Sequence, residues 1–159
     1  MGIEIERKFL VTDTSMLRGD GVLYRQGYIK SERPRTVRIR LADGQGILTV
    51  KGHTQGLTRS EFEWPIRADD ADFLLRHLCH QPLIEKRRYK IPHAGHIWEV
   101  DVFAGANEGL ILAEVELQSE EESVVLPPWV GREVSHDRRY FNSALAERPY
   151  CDWVDQDHE

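Results

Sequence analysis

Across much of the chain, ionic and apolar side chains alternate with a period of two. Glu4, Glu6 and Lys8 alternate with Ile3, Ile5 and Phe9. Arg38 and Arg40 oppose Val37, Ile39 and Leu41, and Thr49 and Lys51 oppose Leu48 and Val50. Arg59, Glu61 and Glu63 oppose Phe62 and Trp64. Lys86, Arg88 and Lys90 share one face, Glu99 and Asp101 oppose Trp98, Val100 and Val102, and Glu114 and Glu116 oppose Val115 and Leu117. A period of two is the pattern of a strand with two different faces. Strands are predicted over residues 2–11, 22–32, 35–41, 47–52, 59–67, 83–91, 96–103 and 110–118, eight in all. Asp43-Gly44 marks a tight hairpin, because glycine accepts positive φ at little cost. Residues 68–80 carry Ala71, Leu74, Leu75 and Leu78 at helical spacing, behind Asp69, Asp70 and Asp72. A short helix is expected over 138–146. The fold class is α+β, mainly β: an antiparallel barrel or sandwich.

Length and composition narrow the classes. The 159 residues fit a single domain, 1–159, with a core over about 2–146 and an acidic tail over 147–159 in which Trp153 is placed to dock. Four Trp, five Tyr and five Phe argue for a packed core. Two cysteines, Cys79 and Cys151, are too few for a disulfide scaffold, and a reduced compartment is the simpler reading. No apolar run approaches the roughly 20 residues of a membrane helix, and the N-terminal residues lack a signal peptide pattern. The expectation is a cytoplasmic protein with no membrane partner. A net charge of −6 disfavours nucleic acid as a partner.

Alternation does not say which face is inside. One reading puts the apolar face in the core and the charged face in solvent. The other is a barrel with a charged lumen and apolar outer faces covered by helices. In that case seven strands donate charge to one cavity: eight acids (Glu4, Glu6, Glu61, Glu63, Glu99, Asp101, Glu114, Glu116) and eight bases (Lys8, Arg38, Arg40, Lys51, Arg59, Lys86, Arg88, Lys90). Buried charge is tolerated only when paired or ligated. Carboxylates at i, i+2 suit a hard divalent cation, and clustered Arg and Lys suit phosphate oxygens. Together they describe a metal–polyphosphate site.

Glu4-Ile5-Glu6-Arg7-Lys8 has the form E-x-E-x-K and resembles the signature of the CYTH superfamily, the triphosphate tunnel metalloenzymes. Gln26-Gly27-Tyr28, Arg38-Ile39-Arg40, Thr49-Val50-Lys51-Gly52, Glu61-Phe62-Glu63, Glu85-Lys86-Arg87-Arg88-Tyr89, Glu99-Val100-Asp101, Ala113-Glu114-Val115-Glu116 and Arg139-Tyr140-Phe141-Asn142 resemble later family segments in order. The resemblance implies an eight-stranded antiparallel β-barrel, the triphosphate tunnel, with peripheral helices. It implies metal binding by Glu4, Glu6, Glu114 and Glu116, with Glu63 and Asp101 as further candidates, and Mg²⁺ or Mn²⁺ as cofactor. It implies triphosphate binding by Lys8, Arg38, Arg40, Lys51, Lys86 and Arg88. Glu61, Lys8 and Tyr28 are the catalytic candidates: Glu61 to orient cations or water, and Tyr28 as a proton acceptor or a rim tyrosine.

At this length the chain resembles the short bacterial branch, which implies hydrolysis of tripolyphosphate to pyrophosphate and phosphate. The small-molecule substrate is then inorganic triphosphate. The alternatives are a class IV adenylyl cyclase making cyclic AMP from ATP, and a non-catalytic polyphosphate- or nucleotide-binding module. The oligomeric expectation is a monomer or homodimer. Trp64 and Trp98 alternate with the charged face and are expected outside, under helices. His77, Cys79 and His80 lack a second ligand pair with zinc spacing and read as surface. Asp43-Gly44-Gln45-Gly46 is no phosphate-binding loop.

Overall fold

A computed structural model describes residues 2–32 and 34–153. The strands are β1 (Gly2–Val11), β2 (Val22–Ile29), β3 (Thr36–Ala42), β4 (Gln45–Lys51), β5 (Thr58–Ile66), β6 (Ile84–His93), β7 (His96–Phe103), β8 (Ile111–Glu116) and β9 (Val130–Glu133), with helices α1 (Ala68–His77) and α2 (Asn142–Glu147). The first eight strands form one antiparallel sheet in the order β5-β4-β3-β2-β6-β7-β8-β1, and β5 pairs with β1 to close it into a barrel. Closure leaves no unpaired sheet edge within the barrel. Two hairpins have two-residue turns in which both residues have positive φ: Asp43 (51°) with Gly44 (72°), and Ala94 (49°) with Gly95 (87°). Such turns match the twist of the strands they join.

β9 is a ninth strand that the alternation does not announce, since four residues behind Pro127-Pro128 are too short to show a period. It exists because β1 is long. β5 covers the first half of one edge of β1, Gly2 to Ile5, and β9 pairs with the same edge at Phe9 and Val11. The expected helix over 138–146 is also interrupted. Arg138–Tyr140 form a 3-10 turn, Phe141 is extended, and α2 begins at Asn142. The Asp137 carboxylate accepts from the Arg139 backbone N–H and so caps the turn rather than a continuous helix.

The apolar core lies outside the barrel wall. Ala71 and Leu75 of α1 are fully buried against Ile39, with Leu41, Leu48 and Ile66 around them, and Cys79, expected at the surface, is buried in the same cluster because the chain leaving α1 packs back onto it. Trp98, Val100, Ala113 and Val115 are buried beneath Trp129 and Leu117, with Met16, Leu17 and Val124 of two long connections packed over them. Trp98 is thus outside, as expected, but its cover is connecting chain, not helix: the ring meets Trp129 edge-on at 5.7 Å. Trp64 is also outside but lies under no helix; it stays 51% exposed, stacked on Phe62, with Ile3 on the neighbouring strand also exposed. A third cluster closes one end of the lumen. Ile84, Phe103 and Leu112 continue the inward faces of β6, β7 and β8 and meet Tyr140, Leu145 and Trp153. Trp153 docks as foreseen, against Tyr140 and Tyr150 at 5.1 and 5.0 Å, with its indole N–H donating to the Arg148 carbonyl. The rest of the acidic tail, 154–159, lies outside the described residues. Among those described, no helix is long and apolar enough to cross a membrane.

Trp153→Ala removes a buried anchor of this end-plug. The expected loss is about 3–5 kcal/mol, read as a lower unfolding midpoint in guanidinium titrations; an unchanged midpoint would mean the C-terminal segment is not part of the cooperative unit.

Candidate active site

The inward positions of the eight barrel strands, with Ser135 and Phe141–Ser143 of the C-terminal segment, enclose a cavity of about 110 Å³. Among the described residues, six carboxylates line it (Glu4, Glu6, Glu61, Glu99, Glu114, Glu116) with seven cations (Lys8, Arg38, Arg40, Lys51, Arg59, Lys86, Arg88). The charges are partly segregated around the barrel. The acids come from the contiguous strands β7, β8, β1 and β5; five of the seven bases come from β6, β3 and β4, while Lys8 on β1 and Arg59 on β5 stand among the acids. The charged-lumen reading of the alternation is therefore the correct one, and the solvated-face reading is not.

The cations are held in a graded way. Asp101, 1% exposed, bridges Lys86 Nζ at 2.7 Å and Arg88, which it grips by two hydrogen bonds of 2.8 and 2.9 Å. Arg88 also reaches Glu114 at 3.2 Å and Glu99 at 3.2 Å. Lys51 Nζ lies 3.1 Å from Glu4 and 3.4 Å from Glu61. Lys8 Nζ lies 3.6 Å from Glu114 and donates to the Tyr140 carbonyl at 3.2 Å. Arg38 reaches Thr49 Oγ1 at 3.1 Å and Glu63 at 3.5 Å. Arg40 has no carboxylate within ion-pair range among the described residues; its Nε donates to Gln26 Oε1 at 2.9 Å. Burial, then the nearby Arg38 and Arg88 charges, push its guanidinium down to about 10. Burial also pushes Lys86 down to about 8, with Asp101 opposing.

The carboxylate wall is strained in the opposite sense. Cross-strand register sets Glu6 opposite Glu116 and Glu99 opposite Glu114, like charges where opposite ones would stabilise. Burial, with Glu114 and Glu4 beside it, raises Glu6 well above the usual carboxylate range. Burial and Glu4 raise Glu61 in the same way. Glu114 is also buried, yet Lys8, Arg88 and Lys86 hold it far below that range.

Most of the residues singled out from the sequence meet in this cavity: Glu4, Glu6, Lys8, Tyr28, Arg38, Arg40, Lys51, Glu61, Lys86, Arg88, Glu114 and Glu116 all line it. Asp101 sits behind the wall as a counter-ion, and Glu63 lies at the periphery, its side chain 40% exposed, bound to Thr49 and Arg38. Lys90, counted among the lumen bases, is exposed instead. Tyr28 stands where the lumen opens into a second cavity of about 420 Å³, lined also by Arg35, His53, His80, Arg138 and Phe141. Three neutral residues of the site have no role in the sequence reading. Gln26 and Tyr24 follow the β2 alternation, and Asn142 lies in the Arg139-to-Asn142 motif, but no charge drew attention to them.

Glu4, Glu6, Glu114 and Glu116 offer hard oxygens, and the raised Glu6 is a carboxylate short of positive charge. That chemistry fits a divalent cation. Among the described residues, no three His, Cys, Asp or Glu side chains are already gathered at ligating range; Lys51 draws Glu4 aside, and Lys8 and Arg88 draw Glu114.

A closed antiparallel barrel whose lumen sets a carboxylate wall against a cationic one defines a tunnel-type anion site. The chain belongs to the CYTH domain family, whose pattern it matches over residues 2–150. That family implies a divalent metal cofactor. An inorganic triphosphatase of Acetivibrio thermocellus is 48% identical over 151 residues, covering 94% of this chain and 97% of that protein. An inorganic triphosphatase of Nitrosomonas europaea is 40% identical over 149 residues, covering 90% and 96%. The crystal structure of the inorganic triphosphatase NE1496 superposes with a TM-score of 0.66 at 36% identity, covering 90% of this chain and 97% of that one. A putative adenylate cyclase from Bacillus halodurans, 20% identical with a TM-score of 0.60 over 76% of this chain and 84% of its own, shares the fold.

Glu6 sets the sign of one prediction. Its folded pKa is raised, so ionising it above the ordinary carboxylate range costs native stability. Glu6→Gln should therefore raise the thermal midpoint at pH 7–8 without divalent metal, and should reduce the further rise that Mg²⁺ gives the wild type. A lower midpoint on substitution would show that Glu6 is compensated in the free protein.

Proposed function

We propose that the protein hydrolyses inorganic triphosphate to pyrophosphate and phosphate, with Mg²⁺ or Mn²⁺ as the ion, as a cytoplasmic monomer or homodimer. The observation that carries this reading is Arg40, a half-buried guanidinium crowded by Arg38 and Arg88 with no carboxylate in ion-pair range among the described residues. A buried cation without a counter-ion is costly unless an anion arrives to meet it. A linear triphosphate carries enough charge to satisfy Arg38, Arg40, Lys51, Lys86 and Arg88 together, and the names of the Acetivibrio and Nitrosomonas relatives agree with it.

In this mechanism the cationic wall grips the phosphate chain and leaves its terminal phosphorus facing the acids. When bound, a divalent ion held by Glu4, Glu6 and Glu116 would neutralise phosphate charge and acidify water. Water attacks the terminal phosphorus, its new P–O bond forming as the bridging P–O bond breaks and pyrophosphate departs. Arg88 and Lys86 stabilise the charge that grows on the leaving oxygens. The proton passes to a group at the acid side, where Glu61 orients the water, or to Tyr28 at the mouth. Lys8, between Glu114 and the end-plug, fixes the terminal phosphate.

A second substrate class is favoured by the 420 Å³ cavity beside Tyr28, which offers a nucleoside a place while its phosphates enter the lumen. The test is a panel of tripolyphosphate, ATP and thiamine triphosphate, with and without chelator, reading phosphate, pyrophosphate and cyclic AMP. Metal-dependent phosphate release, fastest from tripolyphosphate, is expected; cyclic AMP as the main product would replace the reading with a cyclase, and binding without turnover with a carrier. Arg40→Ala and Lys51→Ala should each lower kcat/KM about ten- to a hundredfold, the worth of a charge-assisted hydrogen bond. Tyr28→Phe should lower kcat by roughly a hundredfold if the phenol takes the proton. A change below about threefold assigns that step to the carboxylates.

A further inference from the structure

Seven barrel strands bring charge to the lumen, and β2 brings none. Its inward side chains are Tyr24, Gln26 and Tyr28, and it lies between β3 and β6, the strands of Arg38, Arg40, Lys86 and Arg88. A carboxylate at these positions would be the ordinary way to keep so many cations together. The chain uses neutral groups. Gln26 is fully buried; its Oε1 accepts from Arg40 Nε at 2.9 Å and its Nε2 donates to Asn142 Oδ1 at 3.2 Å. The same Asn142 oxygen accepts from Lys86 Nζ at 2.8 Å. The cations dictate both amide orientations, since a flipped Gln26 would set a donor against a donor. The Tyr24 ring lies between two guanidinium groups, Arg40 Cζ at 4.9 Å and Arg88 Cζ at 4.8 Å from its centre.

We propose that Gln26 and Tyr24, with Asn142 behind Gln26, are positioning residues that fix Arg40 by neutral contacts, so that its charge is left for the phosphate chain, whereas its neighbours Lys86 and Arg88 are already met by Asp101. An amide accepts a cation's hydrogen bond and passes a donor onward without cancelling the charge, and an aromatic face orients a guanidinium in the same way. A carboxylate would orient the cation equally well but satisfy it before substrate arrives. Asn142 joins this relay from the C-terminal segment, so the end-plug and the cationic wall are set together.

The inference rests on the triphosphate reading, and its test separates the two. Gln26→Glu and Asn142→Asp keep shape and add one negative charge. Each should raise KM for tripolyphosphate at least about tenfold, with kcat falling less, while the thermal midpoint stays level or rises because a buried cation gains a counter-ion. Tyr24→Phe should keep KM within about twofold, and Tyr24→Leu should raise it. The midpoint shift caused by added tripolyphosphate, measured without turnover, should shrink in Gln26→Glu. A wild type that tripolyphosphate stabilises but does not turn over would refute the hydrolase reading alone. KM within twofold of wild type in both carboxylate variants would overturn the positioning role, as would activity lost only in step with a fallen midpoint, or a wild type that tripolyphosphate does not stabilise.

Discussion

Everything in this fold answers to the burial of charge in the lumen. An ion taken out of water costs several kcal/mol unless its field is met nearby. The barrel meets most of that cost by sharing: one Asp101 serves Lys86 and Arg88, one Lys51 serves Glu4 and Glu61, and Glu114 serves both Lys8 and Arg88. Shared partners need fixed backbones, and a closed antiparallel sheet supplies them, since each inward side chain is set by register on both sides. The remaining imbalance is localised, excess positive around Arg40 and excess negative around Glu6.

A lumen filled with ions cannot also be the hydrophobic core, so the core is turned outward and divided among covers. α1 buries the face of β3 and β4, the long connections bury Trp98 and its neighbours, and the C-terminal segment fills one end. The last cover reaches the chemistry. Leu145, Tyr140 and Trp153 anchor a segment whose next residues, Phe141 and Asn142, touch Lys8 and Lys86, the Phe141 ring centre lying 5.3 Å from Lys8 Nζ.

The strands, the helix α1 and most of the lumen were legible because strict alternation carries charge, and charge on a strand face is conspicuous. What alternation lacks is direction: Arg38 on one face and Ile39 on the other are equally consistent with a solvated surface, and the order of the motifs supplied the choice. Lys90 and Glu63 follow the same alternation as Arg88 and Glu61, yet sit beyond the cavity, because a tilted strand carries only part of its inward row past the centre. Asp101 has the type and spacing of a metal ligand but meets two cations first. Strand β9 and the break at Phe141 depend on an unfilled edge of β1 and on a cap by Asp137, neither visible in a short stretch of sequence. Gln26 and Asn142 stand in the family-like segments and Tyr24 in the β2 alternation, but the sequence assigns them no role because neutral side chains announce no chemistry until their partners are known.

The two local imbalances are complementary, which turns an electrostatic liability into selectivity. A monovalent anion would relieve Arg40 and leave the acid wall as strained as before. A cation alone would relieve Glu6 and leave Arg40, crowded by Arg38 and Arg88, without a counter-charge. Only a ligand that brings several negative charges along a line, together with a cation to seat at the carboxylates, discharges both walls at once, and a linear phosphate chain with its divalent counter-ion has that form. Discrimination would then arise from charge density along the lumen more than from shape, because each wall is a row of point charges on strands fixed by register. A substrate with part of its charge replaced by a neutral group must leave one of those points unmet inside a low-dielectric barrel, where each missing contact weighs more than it would in water.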